Sequence, residues 1–312
     1  MKLLNKVLLA IKFEDHARDI IQTGKTLHDR FHSQLILLHI LPDRLNKQYI
    51  GELVKQSAHS NLENLKQQLL KDGMEDVDSI IQYGSVFDKT IDIAEEQEVN
   101  VILMGPGNTN ATDPNYIGTS VEKVIRKANI PVWIVRKDFT TNFKRILCPV
   151  DFSEPSKRAL NNAIMLAGNF NAELKVLSIF EPAYSYSPWI KADIEVENEK
   201  AYNDFQLQYE EFFKNFDFKG ISWQKLLASG SVDEQIVQHV NDHQTDLLTM
   251  GTTGRSGLSR ILIGSVAEKV IRNVACSVIT TKSQNLIDLQ FDLKIEEMAK
   301  HYNGNNKNSI SC

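Results

Sequence analysis

The 312-residue chain is predicted to be an α/β protein of two tandem doubly wound domains. Each domain carries a five-stranded parallel sheet, and the two pack as a pseudo-dimer. The length suits two domains of about 150 residues, the second half repeats the first, and short apolar runs alternate with amphipathic stretches inside each copy.

The repeat is explicit. Glu122 to Arg126 and Glu268 to Arg272 both read "EKVIR" and lie 268 − 122 = 146 positions apart. The same offset aligns Gly84-Ser85-Val86 with Gly230-Ser231-Val232, and Met104-Gly105 with Met250-Gly251. Upstream, "KVLLAIKF" matches "RILCPVDF" and sets Lys12 over Asp151.

In the first copy "KVLLAI" reads as a strand, "DHARDIIQTGKTLHDRF" as a helix and "LILLHIL" as a second strand. A long amphipathic stretch follows, then "SIIQYG", the helical "VFDKTIDIAEEQ" and the strand "VNVILMG". After a glycine loop come "SVEKVIRKA" and "PVWIVRK". Unalternating, β-branched runs between helical stretches indicate parallel strands covered on both faces.

The second copy repeats the order with "RILCPV", "ELKVLSIF", "ISWQKLL", "TDLLTMG" and "CSVITT", its second helix falling within Ile190 to Phe216. The domains are placed at 1–138 and 144–282, with the polar stretch Arg136 to Lys144 as linker. A tail, 283–312, is expected to be partly helical and then disordered.

Composition excludes several classes. The chain is 42% hydrophobic and 24% charged with a net charge of −5, which offers no broad basic surface for nucleic acid or anionic membrane. No run approaches the roughly 18 apolar residues of a membrane span, and the N-terminus reads as a buried strand rather than a leader. Cys148, Cys276 and Cys312 include no CxxC pair, which argues against a disulfide framework or zinc site and fits a cytoplasmic location.

The stretch "GTTGRSGLSRILIGS", Gly251 to Ser265, carries the candidate chemistry. It begins where "TDLLTMG" ends, at the carboxyl end of a strand, where open parallel sheets bind ligands. Gly251, Gly254 and Gly264 remove side chains where backbone turns or meets a ligand, and Arg255 and Arg260 add cations. Ser265 opens "SVAE", read as a capping box before a helix whose amides and dipole favour an anion. Spacing alone leaves two readings open, a phosphate cradle or a turn that caps its helix. No P-loop is present, because "TGKT" at Thr23 to Thr26 lacks its first glycine.

"MGTTGRSGLSRILIGSVAEKVIRNVACSVITT" resembles the carboxyl half of a universal stress protein domain, and "CPVDFSEPS" resembles that family's first strand. The family's signature of Gly, two residues, Gly, nine residues, Gly and Ser or Thr is matched by Gly251, Gly254, Gly264 and Ser265. The likeness covers nearly all of residues 1 to 282. It implies a Rossmann-like, adenine nucleotide alpha hydrolase-like fold that binds ATP with Mg2+. It further implies that Pro149, Val150 and Asp151 border adenine and ribose, that Ile179 packs on the base, and that Met250, Gly251, Gly254, Arg255, Gly264, Ser265 and Val266 surround the phosphates.

The first copy departs from this pattern. Asn108 replaces the middle glycine, Thr109 and Pro114 replace Arg255 and Arg260, Asp113 stands for Ser259, and Lys12 replaces Asp151, while Gly105, Gly118 and Thr119 persist. The first domain is expected to bind ATP weakly or not at all and to serve as a packing partner.

Other candidates are given plainer readings. His28 and His32, like His239 and His243, are four apart but lack the H-E-x-x-H glutamate and are read as exposed helical residues. His39 is placed at the core edge, Cys148 is expected to be inert, and "AYSYSPW" at Ala183 to Trp189 is read as loop packing. No base for hydrolysis is identifiable around the loop. The expectation is an ATP-binding stress or signalling protein, at most a weak ATPase, with the last strands Pro131 to Val135 and Ser277 to Thr281 pairing within the chain or between copies. A slow ATPase or phosphate donor and a nucleotide-free interaction module are the alternatives.

Overall fold

The computed structural model describes residues 4–13, 17–47, 49–107, 117–136, 141–183, 191–252 and 263–282. The first half runs β1 (Lys6–Ala10), α1 (Ala17–Phe31), β2 (Gln34–Leu41), α2 (Tyr49–Lys71), β3 (Val77–Tyr83), α3 (Val86–Glu96), β4 (Val101–Met104), α4 (Thr119–Lys127) and β5 (Val132–Ile134). The second repeats it as β6 (Arg145–Val150), α5 (Glu154–Phe170), β7 (Glu173–Phe180), α6 (Lys191–Phe213), β8 (Trp223–Ser229), α7 (Val232–Asp242), β9 (Leu247–Gly251), α8 (Ser265–Asn273) and β10 (Ser277–Thr281). The expected tail helix lies outside the described residues. None of the described helices is long and apolar enough to cross a membrane.

Each half orders its strands 3-2-1-4-5, all parallel, and the halves fuse into one ten-stranded sheet, β3-β2-β1-β4-β5-β10-β9-β6-β7-β8. The join is antiparallel, with Val132, Trp133 and Ile134 opposite Thr280, Ile279 and Val278. The predicted pseudo-dimer is therefore closed through its last strands. This pairing gives backbone groups that would otherwise form two open edges a partner.

The strands are apolar on both faces because helices cover both. One layer packs α1, α2, α5 and α6 against residues such as Leu9, Trp133, Cys148 and Ile279. The other packs α3, α4, α7 and α8 against residues such as Leu8, Ile134, Leu248 and Val278. The first layer crosses the seam, where Phe31 meets Phe170 edge-on at 6.0 Å. Phe143 lies 5.2 Å from both Trp133 and Phe170.

The stretch Arg136 to Lys144 that joins the halves is buried near both of its ends. Phe143 is fully buried, and Arg136 is only 4% exposed. A short connection anchored at both ends by burial fixes how the two halves meet, as a solvated linker could not.

The amino ends of the central strands are clasped alike in both halves. Asn100 Oδ1 accepts from the amides of Asn5 and Lys6 at 2.8 and 2.9 Å. At the matching place, Asp246 Oδ2 accepts from the amides of Lys144 and Arg145, each at 2.9 Å.

Candidate functional site

A 3-2-1-4-5 sheet reverses its strand order between its first and fourth strands, which puts the crevices beyond the carboxyl ends of β1 and β4 and of β6 and β9. In the first half the β1–β4 ladder runs four registers to Ala10 opposite Met104. In the second, β6 and β9 pair only through Ile146–Leu247 and Leu147–Leu248. Pro149 occupies the place of Ala10 and has no N–H to donate. The two strands thus part earlier where the glycine motif is intact.

Beyond β6 the chain makes a tight polar turn. The Asp151 carboxylate accepts from the Ser153 amide at 3.1 Å and from its hydroxyl at 2.5 Å. Ser153 is in turn the N-cap of α5 and accepts from the Ser156 amide, with Pro155 in the first helical turn. The order Asp-x-Ser-x-Pro carries this signal in the sequence, where it also bears the family likeness.

The side chains of Val150 and Met250 are buried in the core, as is Pro149, so these residues can offer only main chain to the crevice. Ile179 and Val266 are partly exposed and rest on the α7–α8 layer. Gly251 is closely packed. A Cβ there would sit 3.0 Å from Pro155 Cβ and 3.2 Å from the Ser156 amide nitrogen, so the end of β9 lies tight against the start of α5.

Gly254, Arg255 and Arg260 lie outside the described residues, but both ends of their loop are described. The Gly264 amide donates to the Thr252 carbonyl at 2.7 Å, and the Thr252 amide to the Thr281 carbonyl at 3.0 Å, which staples the loop at its base. The predicted capping box is not formed. The N-cap of α8 is Gly264, with no side-chain cap bond, and Ser265 is the first helical residue. Glu268 lies 3.6 Å from Arg272 Nε instead. The first bond of α8 runs from Glu268 to Gly264, leaving the amides of Ser265, Val266 and Ala267 without an intrahelical acceptor. Ser265 is exposed and Gly264 half-buried. Thr252 and Ser178 are buried, and among the described residues their hydroxyls have no hydrogen-bond partner.

The first half has the same staple, Gly118 to Pro106 at 2.7 Å, and the same start at Gly118 with no side-chain cap bond. Here, however, Gly118 is buried. Gly107 (φ +115°) folds so closely over it that a Cβ would lie 2.8 Å from Gly118 Cα. Alignment of the repeats sets Asn108 at the middle glycine and passes over Gly107, one position earlier.

The remaining candidates have structural partners. The Thr23–Thr26 tetrad is inside α1. His32 adopts φ +55° just past that helix, so it does not share a helical face with His28. The Nδ1 atoms of His28, His39 and His239 each lie 2.8 Å from a backbone oxygen. His243 Nδ1 is 3.2 Å from Lys175 Nζ. Burial pushes the thiols of Cys148 and Cys276 up to about 12. All but Ala183 of the "AYSYSPW" segment lies outside the described residues.

Fold and site define a tandem doubly wound α/β protein with one half-open, glycine-flanked helix start. The model of the universal stress protein family matches residues 4–136 and again 142–282, and the chain belongs to that family. Among curated relatives, universal stress protein MJ0531 of Methanocaldococcus jannaschii is 32% identical over 147 residues, 45% of this chain and 82% of its own. Universal stress protein MJ0577 of the same organism is 29% identical over 157 residues, 46% of this chain and 97% of its own. A solved universal stress protein from Archaeoglobus fulgidus covers 89% of this chain and 98% of its own at a TM-score of 0.67 and 20% identity. A protein from Pseudomonas aeruginosa covers 96% and 98% at the same TM-score and 20% identity. At these identities the structures speak for the fold alone.

Proposed function

We propose that this universal stress protein binds ATP with Mg2+ in its second domain, 144–282, and that the first, 1–138, is a degenerate copy that binds nucleotide weakly or not at all. Occupancy alters the loop or a partner contact and so serves a cytoplasmic stress or signalling role, binding rather than turnover being the activity.

The observation that carries this reading is the contrast between two equivalent helix starts. At α8 the residues around Gly264 are partly exposed, next to the orphaned Thr252 hydroxyl, whereas at α4 Gly118 is buried beneath Gly107. Uncapped amides and the positive end of the α8 dipole suit a phosphate group. Ser265 and the loop through Gly254 and Arg255 would hold the phosphates, and Asp151 and Ile179 would take ribose and base. Magnesium, when bound, neutralises triphosphate charge. No carboxylate is assigned to it.

The test is to denature the purified protein, identify released nucleotide by mass, and titrate ATP with magnesium into wild type and Gly254→Asn by calorimetry. One nucleotide per chain, lost in the variant, is expected. Absence of nucleotide and of binding heat in both would sink the ATP reading and favour an interaction module.

A further inference from the structure

Among the described residues, five non-glycine residues have positive φ: His32, Glu98, Phe152, Asn171 and Gln244. Four of them form two repeat-related pairs. His32 and Asn171 follow α1 and α5, while Glu98 and Gln244 lie just past α3 and α7, where left-handed residues commonly end helices. Phe152, at φ +68°, has no such counterpart, because Phe13 is not in the left-handed region. A bulky aromatic side chain in that conformation is strained and persists only where its surroundings hold it.

What holds it is α6. The Phe152 ring lies 5.3 Å from Phe205 and 5.2 Å from Phe212. Phe13, by contrast, is 38% exposed and rests on His39 at 4.9 Å. Phe180, which follows Ile179, meets the same Phe205 at 5.7 Å and Tyr202 at 5.2 Å. Helix α6 is itself tied to the chain leaving β7. Asn198 accepts from the Ala183 amide at 2.9 Å and donates to its carbonyl at 2.8 Å.

Phe152 lies between Asp151 and Ser153, the two ends of the polar turn, so its backbone angle sets where the Asp151 carboxylate stands. The geometry points to Phe152 as a positioning residue: α6, through Phe205 and Phe212, holds the strained turn that presents Asp151 to the ribose and base of the nucleotide. This inference rests on the nucleotide reading above. It assigns to α6 a share in recognising the nucleoside and none in recognising phosphate.

The test compares Mg-ATP with inorganic tripolyphosphate, which has phosphates but no nucleoside, by calorimetry on the full chain. Phe152→Leu and Phe205→Leu are each expected to weaken ATP about tenfold, the scale of one misplaced charged hydrogen bond, and to leave tripolyphosphate unchanged. Phe152→Tyr, which keeps the ring, is expected to bind ATP like wild type. On an Asp151→Asn background, Phe152→Leu is expected to cost nothing further, because the two act through one contact. Equal weakening of both ligands, undiminished ATP binding, or additive effects with Asp151→Asn would each overturn the positioning role while leaving the nucleotide site standing. Wild type that binds neither ligand would remove the nucleotide reading and this inference with it.

Discussion

Arg136 and Lys282 make the same bond from opposite sides of the seam. Arg136 Nη2, after β5, donates to the Ile271 carbonyl of α8 at 2.7 Å. Lys282 Nζ, the repeat equivalent after β10, donates to the Arg126 carbonyl of α4 at 2.8 Å. Each half thus places a cation on the last turn of the other half's helix, where the dipole is negative. Arg272 reinforces the seam by pairing with Glu122 of α4.

Arg136 and Lys282 are nearly buried, so truncation removes the donor of the buried Ile271 carbonyl in one case and of the part-buried Arg126 carbonyl in the other. Arg136→Met and Lys282→Met should each lower stability by about 1–3 kcal/mol in urea denaturation. The two changes together should separate the transitions of the two halves.

The two close glycine contacts should respond differently to a methyl group. Gly107→Ala adds a forbidden φ to a backbone clash with Gly118 and should cost well over ~1 kcal/mol. Gly251→Ala requires only a few tenths of an ångström of movement at Pro155, so its melting temperature should fall less. Comparing the two thermal shifts checks the order.

Cys148 and Cys276 are fully buried, and burial pushes both thiols up to about 12. Neither forms thiolate at neutral pH, so neither should react with iodoacetamide in the native protein. Peptide mass mapping should find both alkylated only after denaturation, and rapid native labelling of either would contradict the burial.

His243 titrates below the ordinary histidine value, chiefly through burial and then through Lys175 and His239, while Asp242 and Glu173 act in the opposite sense. The folded protein therefore resists protonating it more than the unfolded chain does. Its contribution to stability is complete above the ordinary histidine range and is lost as pH falls through that range and below. Urea midpoints measured from about pH 8 to about pH 5, the span in which histidine titrates, should decline less steeply in His243→Gln than in wild type.

Much of the fold was legible because parallel strands covered on both faces leave unalternating apolar runs such as "VILM" and "LILLHIL", and because the repeat displays each run twice. The candidate crevice was legible in outline, from Gly251 and Gly264 at the two ends of the loop and from Asp151, Ser153 and Pro155 of the polar turn. Ser265 and Glu268 satisfy the capping-box pattern, yet Gly264 takes the cap and Glu268 turns to Arg272. Phe143 looks like a linker residue until Trp133 and Phe170 close around it. The left-handed Phe152 has no local signature at all, since Phe205 and Phe212, which hold it, come from a helix far along the chain.

The antiparallel pairing of β5 with β10 joins segments of one polypeptide. Two separate chains meeting the same way would come apart on dilution, whereas here each half faces its partner at a fixed, high effective concentration. The partner is also always the same one. Substitutions in either half need not suit a copy of themselves across the seam, which leaves one half free to carry Lys12 where the other keeps the Asp151 carboxylate.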